Sequence, residues 1–168
     1  GTRRLRAVAR RALAGASPSG RLDAELLLAK ATSQSRTALQ MSPEGKVPAD
    51  QCEAFRSLLA RRGLGEPVAY LLGTQDFWTL TLTVTPAVLI PRPETELVVE
   101  RALSHLPPAA RAHFLDLATG SGAIAVTLAL ERPDACLVAT DRSEDALEVA
   151  RGNAGALGAG RIDFHAGH

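Results

Sequence analysis

The strongest constraint on this chain is the run Phe114-Leu115-Asp116-Leu117-Ala118-Thr119-Gly120-Ser121-Gly122-Ala123-Ile124-Ala125, followed by a second apolar run, Val138-Ala139-Thr140, that ends in Asp141. A short apolar segment that breaks into an acidic, glycine-rich turn and resumes as an apolar helical pattern reads as strand, turn and helix. Gly120 and Gly122 have no Cβ, so the backbone can take angles other residues avoid and a ligand can approach closely. The helix that follows offers unpaired N–H groups at its start. An acid at the end of the next strand can accept both hydroxyls of a ribose diol. Together these residues predict a socket for an adenosine-containing cofactor.

Residues Gly120 to Ala125 also fit the G-x-G-x-x-A form of a dinucleotide fingerprint, so a NAD-type nucleotide stays open as an alternative. Asp116, four residues before Gly120, favours a different ligand. Its charge would repel a pyrophosphate and could pair with the ammonium of S-adenosyl-L-methionine.

The rest of the chain changes period as it goes. Leu5, Val8, Ala9, Ala12 and Leu13 fall at helical spacing. Leu22, Leu26, Leu27 and Ala29 mark a second helix after the breaker Ser17-Pro18-Ser19-Gly20. A third short helix is predicted over Ser35 to Met41. A fourth starts at Pro48, presents Cys52, Phe55, Leu58 and Leu59 inward, and stops at Arg61-Arg62-Gly63. Trp78, Leu80, Leu82 and Val84 then alternate with threonines, which predicts a strand, with Tyr70-Leu71-Leu72-Gly73 as its antiparallel neighbour across Thr74-Gln75-Asp76. Pro91 and Pro93 hold the chain extended around Arg92, before Glu94 and Glu96 open a helix carrying Leu97, Val98 and Leu103. From His113 the order is strand (Phe114 to Leu117), helix (Ala123 to Glu131), strand (Cys136 to Thr140), helix (Glu144 to Leu157, capped by Ser143) and strand (Ile162 to His165). The expected architecture is therefore α/β: a small helical bundle over residues 1–66, a β-hairpin connector over 67–92, and the first half of a doubly wound parallel sheet over 93–168. A sheet of that kind is expected to be covered on both faces.

Charge and composition narrow the function classes. Residues 1–66 hold twelve Lys or Arg against six Asp or Glu, and the remainder seven against twelve, an asymmetry that suits either mutual docking or an acidic partner for the first part. Seventeen of the nineteen basic residues are Arg, which equally suits a solvated face in a chain of biased composition. With no apolar run approaching ~18 residues and no apolar leader after Gly1-Thr2-Arg3-Arg4, a soluble, cytoplasmic protein is expected. Cys52 and Cys136 are expected to be buried, reduced thiols, and His105, His113, His165 and His168 to be solvated or structural, so no metal is expected.

Over nearly the whole chain, the sequence resembles the peptide chain release factor N5-glutamine methyltransferases. The segments that carry the likeness are Arg21-Leu22-Asp23-Ala24-Glu25-Leu26-Leu27-Leu28, Gly65-Glu66-Pro67-Val68-Ala69-Tyr70-Leu71-Leu72-Gly73, Phe77-Trp78, Thr85 to Glu96 with its Ile90-Pro91-Arg92-Pro93-Glu94-Thr95 core, and Asp116 to Ala125. The resemblance implies a Rossmann-like class I methyltransferase sheet, present here in its first half, and methyl transfer from S-adenosyl-L-methionine to the glutamine amide of the Gly-Gly-Gln loop of class 1 release factors. It assigns cofactor contacts to Asp116, Ala118, Thr119, Gly120, Ser121, Gly122, Asp141 and Arg142, and the substrate side to Pro91, Arg92, Pro93 and Glu94. It implies release factors as partners, a substrate-recognition role for the helical bundle, no membrane, no direct nucleic acid contact, and a monomer at full length. Two departures stand out: Ala118 replaces the first glycine of the turn, and the family's substrate-orienting Asn-Pro-Pro-Tyr motif is not among the 168 residues. Without that motif the amide nitrogen is neither oriented nor polarised, so no catalytic residue is assigned, the chain is expected to be a fragment of a longer one, and negligible turnover is expected from it alone. A related amino-methyltransferase, or a non-catalytic module that binds release factor or ribosome, remain the alternatives.

Overall fold

The computed structural model describes residues 1–13, 19–105 and 112–167, with only the backbone for residues 4, 6 and 10–12. The breaker at Ser17-Pro18 and His168 lie outside the described residues. The chain divides into two compact units, Gly1–Leu72 and Gly73–His168.

The first unit is helical: α1 (Thr2–Leu13), α2 (Gly20–Thr32), α3 (Arg36–Met41), α4 (Ala49–Gly63) and α5 (Val68–Leu72). Ser35 caps α3 by accepting from the Ala38 N–H at 3.1 Å, and α4 ends with Arg61 and Arg62 beside its negative end. Ala9, Leu13, Ala24, Leu27, Leu28, Leu39, Phe55 and Leu71 form the core. The inward face of α2 differs from expectation, since Leu22 is exposed while Ala24, Leu27 and Leu28 are buried. The reason is electrostatic pairing on the same helix. Asp23 and Glu25 are also buried, and each is held by an arginine from another element: Arg62 Nε donates to Asp23 at 2.8 Å and Arg36 Nη2 to Glu25 at 2.7 Å. The helix is rotated so that both acids reach their partners. The Arg36 hydrogen bond, opposed by burial, holds the Glu25 carboxyl below its usual range.

The second unit begins with a hairpin, β1 (Thr74–Phe77) and β2 (Leu80–Thr83), paired antiparallel with Phe77 opposite Leu80. Of residues 70–73, expected as a strand, 70–72 belong to α5, and the partner of β2 is Thr74–Phe77, of which residues 74–76 were expected to be the turn. Two-residue periodicity was readable in Leu80-Thr81-Leu82-Thr83. The tight turn was not, because it is made by Trp78 and Thr79, with Trp78 at φ +56 rather than by the usual glycine or asparagine. Trp78 is held there by two acids: its N–H donates to Glu96 Oε1 at 2.8 Å and its indole N–H to Glu131 Oε1 at 2.9 Å.

After a 3-10 turn at Pro93–Thr95 come α6 (Glu96–His105), β3 (His113–Leu117), α7 (Ala123–Glu131), β4 (Cys136–Asp141), α8 (Glu144–Leu157) and β5 (Ile162–Ala166). On α6 the buried residue is Val99, whereas Leu97 and Val98 are exposed. The three later strands form one parallel sheet in the order β3-β4-β5, with Leu115 beside Val138 and Val138 beside Asp163. The crossovers β3–α7–β4 and β4–α8–β5 place α7 and α8 on the same face, as successive connections of one hand do. That face carries Leu137, Ala139 and Ile162 into a core with Phe77, Leu82, Val99, Val126 and Ala154. The other face is uncovered among the described residues, contrary to the expectation for a doubly wound sheet, and its Leu115 and Leu117 are 62% and 61% exposed. Cys136 lies on that face and is exposed rather than buried, while Cys52 is half-buried. No described helix is long and apolar enough to cross a membrane.

Replacing Arg62 with an uncharged side chain of similar length removes the guanidinium from the buried Asp23 carboxylate while leaving its Ser19 Oγ contact in place. Arg62→Met is expected to destabilise the helical unit by about 3 kcal/mol, read as a lower denaturant midpoint at unchanged slope; a midpoint within error of the parent chain would show that the pair contributes nothing.

Candidate functional site

The glycine turn lies at the carboxyl ends of β3 and β4, where a parallel sheet presents its ligands. Its shape is set by four contacts. Thr119 N–H donates to the Thr140 carbonyl at 2.9 Å, so the turn starts as an extension of the β3–β4 ladder. Gly122 N–H donates to the Thr119 carbonyl at 2.9 Å and closes the bend. Gly120 N–H donates to Asp141 Oδ2 at 3.0 Å, and Ser143 N–H donates to Asp141 Oδ1 at 3.0 Å. One carboxylate thus joins the turn to the start of α8, where Ser143 Oγ accepts from Ala146 N–H at 3.2 Å as the cap.

Positive φ angles are required at three turn positions: Ala118 at +59, Gly120 at +56 and Gly122 at +80. Gly122 has a second reason to be glycine, because a Cβ there would lie 3.2 Å from the side chains of Ala150 and Val126. Ala118 adopts a left-handed angle without being glycine, at a cost of about 1 kcal/mol.

Asp116 stands under the bend, where Thr119 Oγ1 donates to its Oδ2 at 2.7 Å. It also accepts the Ala125 N–H, one of the orphan donors at the start of α7. Burial pushes its carboxyl above the ordinary aspartate range; the Thr119 and Ala125 hydrogen bonds pull the other way, and the nearby charge of Asp141 adds to the rise. Two carboxylates held close together by backbone N–H groups make a site that favours a cation or a hydroxyl-rich ligand over an anion.

Beside Asp141 is a cavity of about 370 Å³ lined by Leu117, Ala118, Thr140, Asp141, Arg142 and Gly167. Each Asp141 oxygen has given one lone pair to a backbone N–H and keeps another that can take a hydroxyl. The structure therefore brings Asp116, Ala118, Thr119, Gly120, Ser121, Gly122, Asp141 and Arg142 together around one bend, although Asp116 lies behind the turn rather than in the lining. Pro91, Arg92, Pro93 and Glu94 are not among the residues that line this cavity. Arg92 and Glu94 are exposed, and the Arg92 carbonyl accepts the Thr95 N–H at 3.0 Å as the 3-10 turn begins. Among the described residues no group of His, Cys, Asp or Glu could hold a metal ion, and His105 Nδ1 lies 2.7 Å from the Arg101 carbonyl of its own helix.

Comparison with known proteins fits this geometry. A family profile described as the PrmC N-terminal domain matches residues 4–73, and one described as a methyltransferase domain matches residues 109–168. The release factor glutamine methyltransferase of Escherichia coli K12 is 49% identical over 139 residues, which is 83% of this chain and 50% of that protein. Those of Coxiella burnetii (48% over 138 residues, 82% and 50%) and Burkholderia pseudomallei (51% over 139 residues, 83% and 49%) are similarly related. The chain belongs to the release factor glutamine methyltransferase family. It spans about half the length of the curated relatives it matches. Its parallel β3-β4-β5 sheet is the beginning of the Rossmann-like sheet of class I methyltransferases.

Two residues with positioning tasks in the second unit were not recognised as such from the sequence. Glu96 was read as a helix opener, whereas it holds the hairpin turn at Trp78. Asn153, buried on α8, reaches the turn itself. The available signal for Asn153 was an asparagine, a poor helix former, inside an alanine-rich helix.

The raised Asp116 pKa fixes a sign. Stability contributed by its protonated form is fully present below the unfolded-state value and is lost as pH rises through the raised folded-state value. Asp116→Asn removes that loss. As pH rises from about 4, the ordinary aspartate value, the melting temperature of the parent chain is expected to fall relative to Asp116→Asn; parallel curves would show that the carboxyl carries no such penalty.

Proposed function

We propose that residues 116–122 and 141–142 bind S-adenosyl-L-methionine, and that the chain is the cofactor-binding and recognition part of an enzyme that methylates the glutamine amide in the Gly-Gly-Gln loop of class 1 peptide chain release factors. The observation that carries this reading is the acid-flanked glycine turn of Asp116 and Asp141, found in a chain of this family. Asp141 would take the ribose diol with its remaining lone pairs. Asp116 would attract the ammonium of the amino-acid part, and the Ala118 to Gly122 backbone would follow the ligand closely. When bound, the cofactor supplies an electrophilic methyl group on a sulfonium. The residues of this chain orient it and neutralise its charge.

The substrate-side assignment of Pro91, Arg92, Pro93 and Glu94 is part of the same proposal. Two prolines restrict the backbone around an exposed guanidinium, which would make Arg92 a stiff contact for a protein substrate. Residues 1–66 would recognise the release factor, and 67–92 would connect that unit to the methyltransferase unit over 93–168. The substrate-orienting Asn-Pro-Pro-Tyr of the family is not among these residues, so this chain alone is expected to bind cofactor without turnover. A cytoplasmic, monomeric full-length protein with no direct nucleic acid contact is the corresponding cellular reading.

A dinucleotide is the competing ligand, since the glycine spacing admits one. The carboxylate pair disfavours it by repulsion of the pyrophosphate. Calorimetric titration with S-adenosylhomocysteine and with NAD separates the two. Heat is expected from the first, reduced about tenfold or more in affinity by Asp141→Ala, and none from the second; binding of NAD alone would overturn the methyl-donor reading.

A further inference from the structure

We propose that Asn153 is a positioning residue that makes the glycine turn and the β1–β2 hairpin open and close as one unit, so that a ligand held at the turn is felt at Thr83. The ligand part of this statement rests on the cofactor reading above; the linkage itself does not.

The Asn153 side chain is 2% exposed and all of its hydrogen-bonding capacity except one lone pair is committed. Its Nδ2 donates to the Thr83 carbonyl at 2.9 Å and to the Ser121 carbonyl at 2.9 Å, and its Oδ1 accepts the Thr83 N–H at 2.7 Å. Toward β2 the amide therefore behaves as a neighbouring strand would, taking both the N–H and the C=O that Thr83 turns away from β1. Toward the turn it holds one end of the Ser121–Gly122 peptide group. The other end is held by the Thr119 carbonyl, which accepts the Gly122 N–H at 2.9 Å. The peptide plane is thus fixed from both sides.

The helix that carries Asn153 is itself locked to the turn one level up. Ala150 occupies the space that a Gly122 side chain would need, with its Cβ 3.2 Å from that position. Asp141 ties the Gly120 and Ser143 N–H groups at the helix start. The Ala150 and Asn153 positions are three residues apart and share a helix face, so the turn rests on α8 by packing at one point and by hydrogen bonding at the next. Releasing the Ser121 carbonyl would strand a buried acceptor, as would releasing Thr83, and among the described residues no other side chain bonds both. Local opening of either element therefore disrupts the other. By linkage, anything that stabilises the turn must stabilise the Thr83 hydrogen bonds by the same factor.

Amide hydrogen exchange on the 168-residue chain tests this without ligand first. Thr83 and Gly122 amides are expected to share one opening equilibrium. Asn153→Ala is expected to speed exchange at both by about tenfold or more while amides within β4 keep their rates. Asn153→Asp retains an acceptor for the Thr83 N–H and lacks the donors, so it is expected to release Gly122 more than Thr83; it also carries the test if the alanine variant does not fold. S-adenosylhomocysteine added to the parent chain is expected to slow Thr83 exchange, and in Asn153→Ala to slow Gly120 and Gly122 without reaching Thr83. A purely local structural role would leave that last difference unmoved. Independent exchange of Thr83 and Gly122 in the parent chain, or unchanged rates in Asn153→Ala, would overturn the proposal. Shared exchange without any ligand response would support the linkage and count against the cofactor reading.

Discussion

The second unit depends on what the Asp141 carboxylate does before any ligand arrives. By accepting the Gly120 and Ser143 N–H groups it fixes a glycine turn, a strand end and a helix start relative to one another. A buried or half-buried carboxylate tolerates that position because backbone donors satisfy it. Everything around it follows a similar logic: the turn needs left-handed angles, left-handed angles need small residues, and small residues need neighbours that hold the bend from outside. Asp116 holds it from below through Thr119 and Ala125, Ala150 fills the space beside Gly122, and Asn153 takes the Ser121 carbonyl. The site is organised in advance, so a ligand would meet dipoles already oriented, which lowers the ordering cost of binding.

The same economy appears in the helical unit, where polar residues rather than leucines decide the orientation of α2. Burying Asp23 and Glu25 is costly unless each meets a cation, and Arg62 and Arg36 come from two different elements to do so. The Arg21 to Leu28 segment therefore acts through its acids as well as its apolar residues. The surplus positive charge of residues 1–66 is what remains for solvent or a partner.

Much of this was legible in the sequence, and the misses have physical causes. The strands and helices from His113 onward were readable because each apolar run is bounded by a turn residue, a cap or a glycine, and the bounds of α7 and α8 agree with the helical pattern and the Ser143 cap. The hairpin register was misread because Trp78 takes an angle that tryptophan rarely adopts, and what holds it there is a pair of glutamates from distant positions. Local propensity carries no trace of such partners. Leu22, Leu97 and Val98 marked their helices by period yet are exposed, and on α2 the paired acids Asp23 and Glu25 occupy buried positions that period would give to apolar residues. The exposure of Cys136, Leu115 and Leu117 follows from both crossovers using one face of the sheet. At the turn, Asp116 and Asp141 were singled out from the sequence and the structure brings both to the bend, while Asn153, which holds backbone there, was not singled out.

The central claim is that this carboxylate-flanked bend receives a methyl donor. Its most direct test is a titration of isotope-labelled chain with S-adenosylhomocysteine followed by backbone amide resonances. Saturable shifts centred on Thr119, Gly120, Gly122, Asp141 and Arg142 are the predicted result. Shifts centred elsewhere, or none at concentrations that saturate a longer member of the family, would contradict it.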